Sequence, residues 1–322
     1  RCGRAFGIRG QRFVATRSAR RGRFDSSVQF HQRGAGARPS AGGLGGGTRP
    51  IARVVCVDGG CGGQRQGGHG DWQKDWGTIV ERVPYDGRDF GGSDGNANGT
   101  SKQHHPRLAF NAGVCKKDEK LTIKLAKKIK GKVKLSIKFT GTLNDRLLGF
   151  YRSQYKDKNG KTKYLATTQF EAADARRAFP CWDEPAVKAT FDVSLLVDKH
   201  LDAISNMPVA SKKIVGSKIL YKFGRTPVMS TYLLYLGVGE FEYLHGKLRN
   251  IKIRIVTTKG NKNKGKLSLD FTKKFLSEYE KYFGIKYPLP KLDMIAIPDF
   301  AAGAMENWGA ITFREAILLY DT

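Results

Sequence analysis

Residues 120–141, KLTIKLAKKIKGKVKLSIKFTG, alternate apolar side chains with lysine on both sides of Gly131. An apolar side chain at every second position is typical of a strand that buries one face and leaves the other in water. The lysines then form the solvated face. The stretch therefore predicts half-buried β-strands interrupted at Gly131.

Short β-rich stretches continue as far as residue 245, with turn residues such as Asn159-Gly160 between them. They include KYLATTQFEA (163–172), ATFDVSLLVD (189–198), KILYKFG (218–224) and STYLLYLGVGEFEYL (230–244). These patterns predict a largely antiparallel β domain over residues 116–245.

A different pattern begins at residue 246. The strand NIKIRIVTT (250–258) is followed by the polar linker KGNKNKGK (259–266) and by a segment with aromatic residues at helical spacing. Those residues are Phe271, Phe275, Tyr279 and Tyr282. Gly284 is suited to the helix C-terminus, and Pro288 prevents continuation of the helix. The pattern predicts that an α/β unit starts at residue 246 and continues to residue 322.

Residues 1–115 have a different composition from the rest of the chain. They hold 25 of the 39 glycines and 16 Arg against 2 Lys, whereas residues 116–322 hold 8 Arg against 31 Lys. Glycine-dense sequence without periodicity cannot bury enough apolar area to offset the entropy of ordering it. The segment is predicted to be low-complexity: either a disordered Arg/Gly arm that binds RNA, or unrelated sequence joined to the protein. The abrupt change from Arg to Lys favours unrelated sequence.

The net charge of +28 raises the possibility of a nucleic-acid partner. In residues 116–322, however, the lysines follow strands without the interleaved aromatic residues that single-strand binders use. The five cysteines are odd in number and scattered, which argues against a disulfide framework and favours a reducing, cytoplasmic location. No apolar run approaches the length of a membrane span. The sequence therefore predicts no membrane partner and argues against a nucleic-acid partner.

Four short motifs occur in order along the second part of the chain. They are TQFE (168–171), RRAFPCWDEP (176–185), TPVMSTY (226–232) and GAMEN (303–307). Together they resemble the zinc-dependent aminopeptidase family of aminopeptidase N and puromycin-sensitive aminopeptidase, over residues 116–322. The resemblance implies a mainly β fold: a saddle-like β-rich N-terminal domain, incomplete at its start, and then the beginning of a thermolysin-like α/β catalytic domain.

The resemblance also implies a substrate-binding site. In that family the Gly-Ala-Met-Glu-Asn segment is an edge strand along which the substrate peptide lies. Its Glu, here Glu306, binds the free α-amino group, and a second carboxylate from the β domain matches Glu171. The implied peptide-binding residues are Glu306, Glu171, Gln169, Gly303, Ala304, Met305 and Asn307. Small side chains at residues 303 and 304 suit close approach of a peptide backbone. Gln169 and Glu171 are two positions apart, so on a strand they would share one face.

The resemblance implies one zinc ion, held in that family by a His-Glu-x-x-His motif and a later Glu. The six histidines at positions 31, 69, 104, 105, 200 and 245 show no such spacing. We therefore expect no catalytic residue and no metal ligand within residues 1–322, and expect the ligands in sequence that follows Thr322. The first residue is Arg1 and every Met lies at 207 or later. The sequence is thus interpreted as an inactive piece of a metallo-aminopeptidase that removes N-terminal amino acids from peptides.

Two other functions remain open at this point. A non-catalytic scaffold or pseudoenzyme of the same fold would share the motifs but lack zinc ligands, although a scaffold has no need for an amine-binding glutamate. A basic nucleic-acid-binding protein is the second alternative. Cys181 has no His within the twenty residues before it, so we interpret it as structural. Arg176 and Arg177 are expected to pair with Asp183 or Glu184 in the same loop.

Overall fold

The computed structural model describes residues 13–14, 24–32, 51–57, 110–115, 119–125 and 133–320. Its first nine strands are β1 (Phe13–Val14), β2 (Phe24–Gln32), β3 (Ile51–Val57), β4 (Phe110–Cys115), β5 (Lys120–Leu125), β6 (Val133–Gly141), β7 (Gly149–Lys156), β8 (Thr162–Gln169) and β9 (Thr190–Asp198). The next nine are β10 (Asp202–Ser205), β11 (Val209–Val215), β12 (Lys218–Phe223), β13 (Leu236–Gly239), β14 (Phe241–Leu248), β15 (Ile251–Thr258), β16 (Lys291–Ile297), β17 (Ala304–Met305) and β18 (Ala310–Arg314). Two α-helices, α1 (Lys266–Phe283) and α2 (Glu315–Leu318), complete the set.

The predicted mainly β architecture is confirmed. The strands form sheets of order β1-β5-β4, β10-β13-β8-β7, β11-β12-β9-β3-β2-β6 and β14-β15-β16-β18-β17. Most pairs are antiparallel, and the parallel ones are β3 with β9, β15 with β16, and β16 with β18. The opening stretch contributes β5 and β6, which lie in different sheets, while residues 126–132 with Gly131 are outside the described part.

The predicted low-complexity segment, residues 1–115, lies mostly outside the described residues. Within it the structure describes β1 to β4, of which β2 and β3 belong to the six-stranded sheet. At the other predicted boundary, residue 245, strand β14 already begins at Phe241 and pairs with β15 along its whole length. The domain limits at 115 and 245 stay predictions.

The sheet β14-β15-β16-β18-β17 and helix α1 form the α/β unit. Helix α1 ends where the sequence predicts, because Gly284 adopts the left-handed conformation, with φ of 65°, that terminates a helix without steric cost. Helix α1 packs against β14 and β15. Its buried residues are Leu269, Thr272, Leu276 and Glu280.

The aromatic residues at helical spacing lie on the side of α1 that points away from the sheet. Phe271, Phe275, Tyr279 and Tyr282 are all exposed, and Phe271, Phe275 and Tyr279 stack in sequence with centroid separations of 5.5 and 6.4 Å. The physical reason is crowding: Leu269 lies over Gly246 of β14, where an added Cβ would be 2.7 Å from the leucine Cδ1. Leucine side chains fit this close helix–sheet contact, so the aromatic rings lie on the opposite side.

One hydrophobic core crosses from the β sheets to the α/β unit. It includes Phe170 and Phe179, whose rings meet edge to face at 5.9 Å, together with Ile295 and Met305. A second cluster between α1 and its sheet includes Leu276 and Ile253. Because the first core is continuous, the two parts of the chain share buried surface and do not behave as loosely tethered units.

The orientation of α1 can be tested with adjacent substitutions. Leu276 is 8% exposed and Phe275 is 54% exposed. We expect Leu276→Ala to lower the free energy of unfolding by about 2–4 kcal/mol, since it leaves a cavity in the core. Phe275→Ala, in the same helix turn, should change it by no more than about 0.5 kcal/mol. Urea unfolding of both variants is the measurement, and a larger loss for Phe275→Ala would contradict the observed packing.

Candidate substrate-binding site

The loop after β16 returns the chain to the edge of the five-stranded sheet. Strand β17 pairs antiparallel with β18 and, among the described strands, with no other, so its second edge is open. Arg314 binds the small-residue stretch that precedes it. Its backbone N–H donates to the Gly303 carbonyl at 2.9 Å. Its guanidinium donates to the carbonyls of Phe300 at 3.2 Å and Ala301 at 2.7 Å. The stretch is therefore fixed by its backbone, while its side chains remain exposed.

Side chains alternate strictly from residue 304 to residue 309. Ala304, Glu306 and Trp308 are exposed, whereas Met305, Asn307 and Gly309 are buried. Strand geometry accounts for Ala304 and Met305, which form β17, whereas residues 306–309 follow the strand and end in a turn. Met305 lies in the main core, behind the open edge. The Glu306 carboxylate is thus presented to solvent by a segment whose other face is anchored in the protein.

Two buried amide side chains of the predicted site, Asn307 and Gln169, each have an oxygen without a protein hydrogen-bond donor among the described residues. Asn307 is 1% exposed; its Nδ2 donates to Thr312 Oγ1 at 3.3 Å, while its Oδ1 is unsatisfied. Gln169 is 7% exposed, and its Oε1 is likewise unsatisfied. Buried acceptors in native proteins are nearly always paired, either with protein donors or with ordered water.

Gln169 and Glu171 are not arranged as the strand pattern predicts. Strand β8 ends at Gln169, so the alternation does not extend to Glu171, which is exposed in the turn that follows. The turn forms because the Asp174 N–H donates to the Phe170 carbonyl at 2.9 Å, and Phe170 itself is fully buried. The two side chains therefore do not share a strand face, although they remain close in sequence. No described ion pair or hydrogen bond involves the carboxylate of Glu171 or of Glu306.

A buried charged cluster lies behind the loop. Arg254 on β15 donates to both oxygens of Asp293 on β16, at 2.7 and 2.6 Å, and Lys291 Nζ donates to Asp293 Oδ2 at 2.7 Å. Burial alone would raise the pKa of the Asp293 carboxyl, but the two cations outweigh it and hold that pKa below its usual value. This cluster could not be predicted from the sequence, since Lys291 and Asp293 at alternate positions resemble an ordinary solvated strand face.

Asn206 holds the end of the loop from the β-domain side. Its Nδ2 donates to the carbonyls of Leu233 at 2.7 Å and Trp308 at 2.9 Å, and its Oδ1 accepts from the Tyr235 N–H at 2.8 Å. Gly309 follows at φ of 72°, with the Asn206 carbonyl oxygen 2.5 Å from where a Cβ would be. Only glycine fits such a close backbone approach.

The loop around Cys181 is held by buried and ionic contacts, which is compatible with the predicted structural role. Cys181 is buried, and burial raises the pKa of its thiol well above the usual value, with nearby Asp183 adding to the shift. Arg176 donates through Nε to Asp183 at 2.8 Å, as expected. The expectation for Arg177 is wrong: it pairs with Asp174, three residues earlier, because both lie in one short turn.

The described residues contain neither a cluster of metal ligands nor a membrane-spanning helix. No group of three or more His, Cys, Asp or Glu among them could hold a metal ion. In the same part of the chain, no helix combines the length and apolar character that crossing a membrane requires.

Comparison with known proteins places the chain near one peptidase family. The Peptidase M1 N-terminal domain model matches residues 96–233, and the Peptidase family M1 domain model matches residues 267–322. Puromycin-sensitive aminopeptidase of Caenorhabditis elegans is 53% identical over 205 residues, which are 62% of this chain and 22% of that protein.

Two further relatives come from distant organisms. Aminopeptidase M1-B of Oryza sativa subsp. japonica is 54% identical over 188 residues, covering 58% of this chain and 21% of that protein. Probable aminopeptidase 2 of Sulfurisphaera tokodaii is 52% identical over 188 residues, which are 58% of this chain and 23% of that protein. The matched part thus spans about a fifth of the length of these curated relatives.

Gly309 provides a test of how tightly the loop is held. Gly309→Ala introduces both a positive-φ cost and a clash with the Asn206 carbonyl, whereas Gly160, at φ of 74°, has no atom within 4 Å of an added Cβ. We expect Gly160→Ala to lower the free energy of unfolding by about 1–2 kcal/mol. Gly309→Ala should lower it by about 1–3 kcal/mol more. Equal losses in chemical denaturation would show that the loop end can relax.

The structural role of Cys181 can be tested by alkylation. Because the thiol is buried and its pKa is raised, iodoacetamide at neutral pH should leave Cys181 unmodified in the native protein and modify it after unfolding in guanidinium. Peptide mass mapping reads this cysteine separately from the other four. Rapid native modification of Cys181 would contradict its burial.

Proposed function

Because the chain belongs to peptidase family M1, we propose that it recognises the free α-amino group of a peptide in an aminopeptidase. The relatives named above are aminopeptidases, which supports a peptide substrate with a free N-terminus. In this proposal Glu306 and Glu171 bind the ammonium. Gln169, Gly303, Ala304, Met305 and Asn307 form or support the surface around it.

One observation carries the proposal: Glu306 and Glu171 are both exposed, and no described hydrogen bond or ion pair engages either carboxylate. A peptide N-terminus supplies a positive charge and N–H donors, which carboxylates bind through charge-assisted hydrogen bonds.

In this proposal the open edge of β17 is the surface along which the peptide backbone binds. An extended peptide can add to a sheet edge through main-chain hydrogen bonds, which bind any sequence without reading its side chains. The ammonium contacts at Glu306 and Glu171 would then stop the peptide at its first residue. Met305 contributes from the core, by anchoring the strand on which the peptide lies. Binding and register are therefore the steps that we assign to this chain.

Family M1 is a metallopeptidase family, and zinc is the metal that the motifs imply. The described residues do not fit a zinc site, because none of them form a three-ligand cluster. The cytoplasmic location and the absence of a nucleic-acid partner stay predictions.

The proposal is tested with two ligands that differ only at the amine, L-leucinamide and N-acetyl-L-leucinamide, by isothermal titration calorimetry on the whole chain. We expect Glu306→Gln and Glu171→Gln to weaken binding of the free amine about ten-fold or more, since a charge-assisted contact is lost. Binding of the acetylated ligand should change little.

Glu278→Gln is the matched control, because Glu278 is an exposed glutamate on α1 that pairs only with nearby Lys281 among the described ion pairs. It should leave both affinities unchanged. Equal losses for the free and the acetylated ligand in the Glu306 and Glu171 variants would rule out the amine-anchoring role.

A further inference from the structure

Lys291 is buried at the start of β16 and uses all its donors. Its ammonium donates to Asp293 Oδ2 at 2.7 Å, to the Ser205 carbonyl at 2.8 Å and to the Gly309 carbonyl at 2.6 Å. The residue is 3% exposed. An ammonium has three N–H donors, and all three are satisfied by one carboxylate and two carbonyls.

The two carbonyls belong to different parts of the molecule. Ser205 ends strand β10, which pairs with β13, and β13 pairs with β8. Strand β8 leads directly to Gln169 and Glu171. Gly309, in contrast, closes the segment that carries Glu306, and its carbonyl also accepts from the Asp293 N–H at 3.0 Å. One buried cation therefore joins the sheet that leads to Glu171 to the loop that carries Glu306.

The charge of Lys291 is matched within its surroundings. Burial lowers the pKa of its ammonium, and the facing Asp293 carboxylate opposes that shift. Arg254 faces the same carboxylate, and its guanidinium lies 4.9 Å from the Tyr243 ring. Asp202 on β10 interacts electrostatically with Arg254. Lys291 and Arg254 are thus opposed by Asp293 and Asp202, so the cluster is neutral as a whole.

We propose that Lys291 is a positioning residue that sets the spacing between Glu171 and Glu306, through its simultaneous contacts with the Ser205 and Gly309 carbonyls. The inference rests on the proposed function, because it concerns the two carboxylates assigned there to the peptide amine. The Asp293 contact satisfies one of the three donors, and the other two reach carbonyls on different parts of the chain. The two carbonyl contacts, one from each side of the junction, are what a spacer requires.

The test uses Lys291→Met and the double variant Lys291→Met/Asp293→Asn. The single variant removes the ammonium but leaves Asp293 paired with Arg254. The double variant removes one charge of each sign, so that the cluster stays neutral and folding is protected if the single variant is unstable. Lys213→Met is the control. Lys213 is exposed and lies on β11, an edge strand of the six-stranded sheet, whereas Lys291 and Asp293 lie on β16 of the five-stranded sheet.

The readout is the ratio of the affinities for L-leucinamide and N-acetyl-L-leucinamide in folded protein, with folding checked by near-ultraviolet circular dichroism. We expect Lys291→Met and the double variant to reduce the preference for the free amine about ten-fold, because displacements of the order of 1 Å are enough to spoil a two-point contact. Lys213→Met should keep the wild-type preference.

An unchanged preference in either folded Lys291 variant would overturn the positioning role. The proposed function would stand in that case, provided that Glu171→Gln and Glu306→Gln still reduce the preference. If those two glutamine variants have no effect, the proposed function itself fails. The two sets of variants thus distinguish failure of amine binding by Glu171 and Glu306 from failure of the positioning role of Lys291.

Discussion

The fully buried carboxylate of Asp293 is the constraint on which the rest of the structure depends. It lies on β16, the central strand of the five-stranded sheet, where an unpaired charge would cost several kcal/mol, about 3–5 when one partner is removed. Arg254 must therefore come from the neighbouring strand and Lys291 from two residues earlier. Once Lys291 is held there, its remaining donors fix the end of the β17 loop and the end of β10.

The features predicted from the sequence are those that depend on local pattern. Alternating apolar residues located the strands, and Gly284 located the end of α1, because a left-handed residue terminates a helix wherever it stands. The aromatic spacing gave the helix but not its buried face, which was decided by Leu269 fitting over Gly246. That contact joins two elements, so no single stretch of sequence contains it.

In the candidate site, too, the features that a local motif specifies could be predicted, and those that depend on the folded surroundings could not. The motif containing Glu306 indicated an exposed edge strand, and β17 does lie at the edge of its sheet. The unsatisfied oxygens of Gln169 and Asn307 could not be predicted, since they depend on which donors surround each amide after folding. Asn206 and Lys291 were missed for a related reason. Both donate to backbone carbonyls, and because every residue has a carbonyl, the sequence does not indicate which one will be the partner.

The alternation along residues 304–309 has a consequence for divergence among related chains. Inward positions 305, 307 and 309 are constrained by the core, by Thr312 and by the Asn206 carbonyl, whereas outward positions 304 and 308 meet no such limit. A larger side chain at Ala304 or a smaller one at Trp308 would change the exposed surface on either side of Glu306 and leave the inward positions untouched. If the proposed function holds, single substitutions at these outward positions can change which peptide side chains are accepted, independently of the inward residues that keep the segment in place.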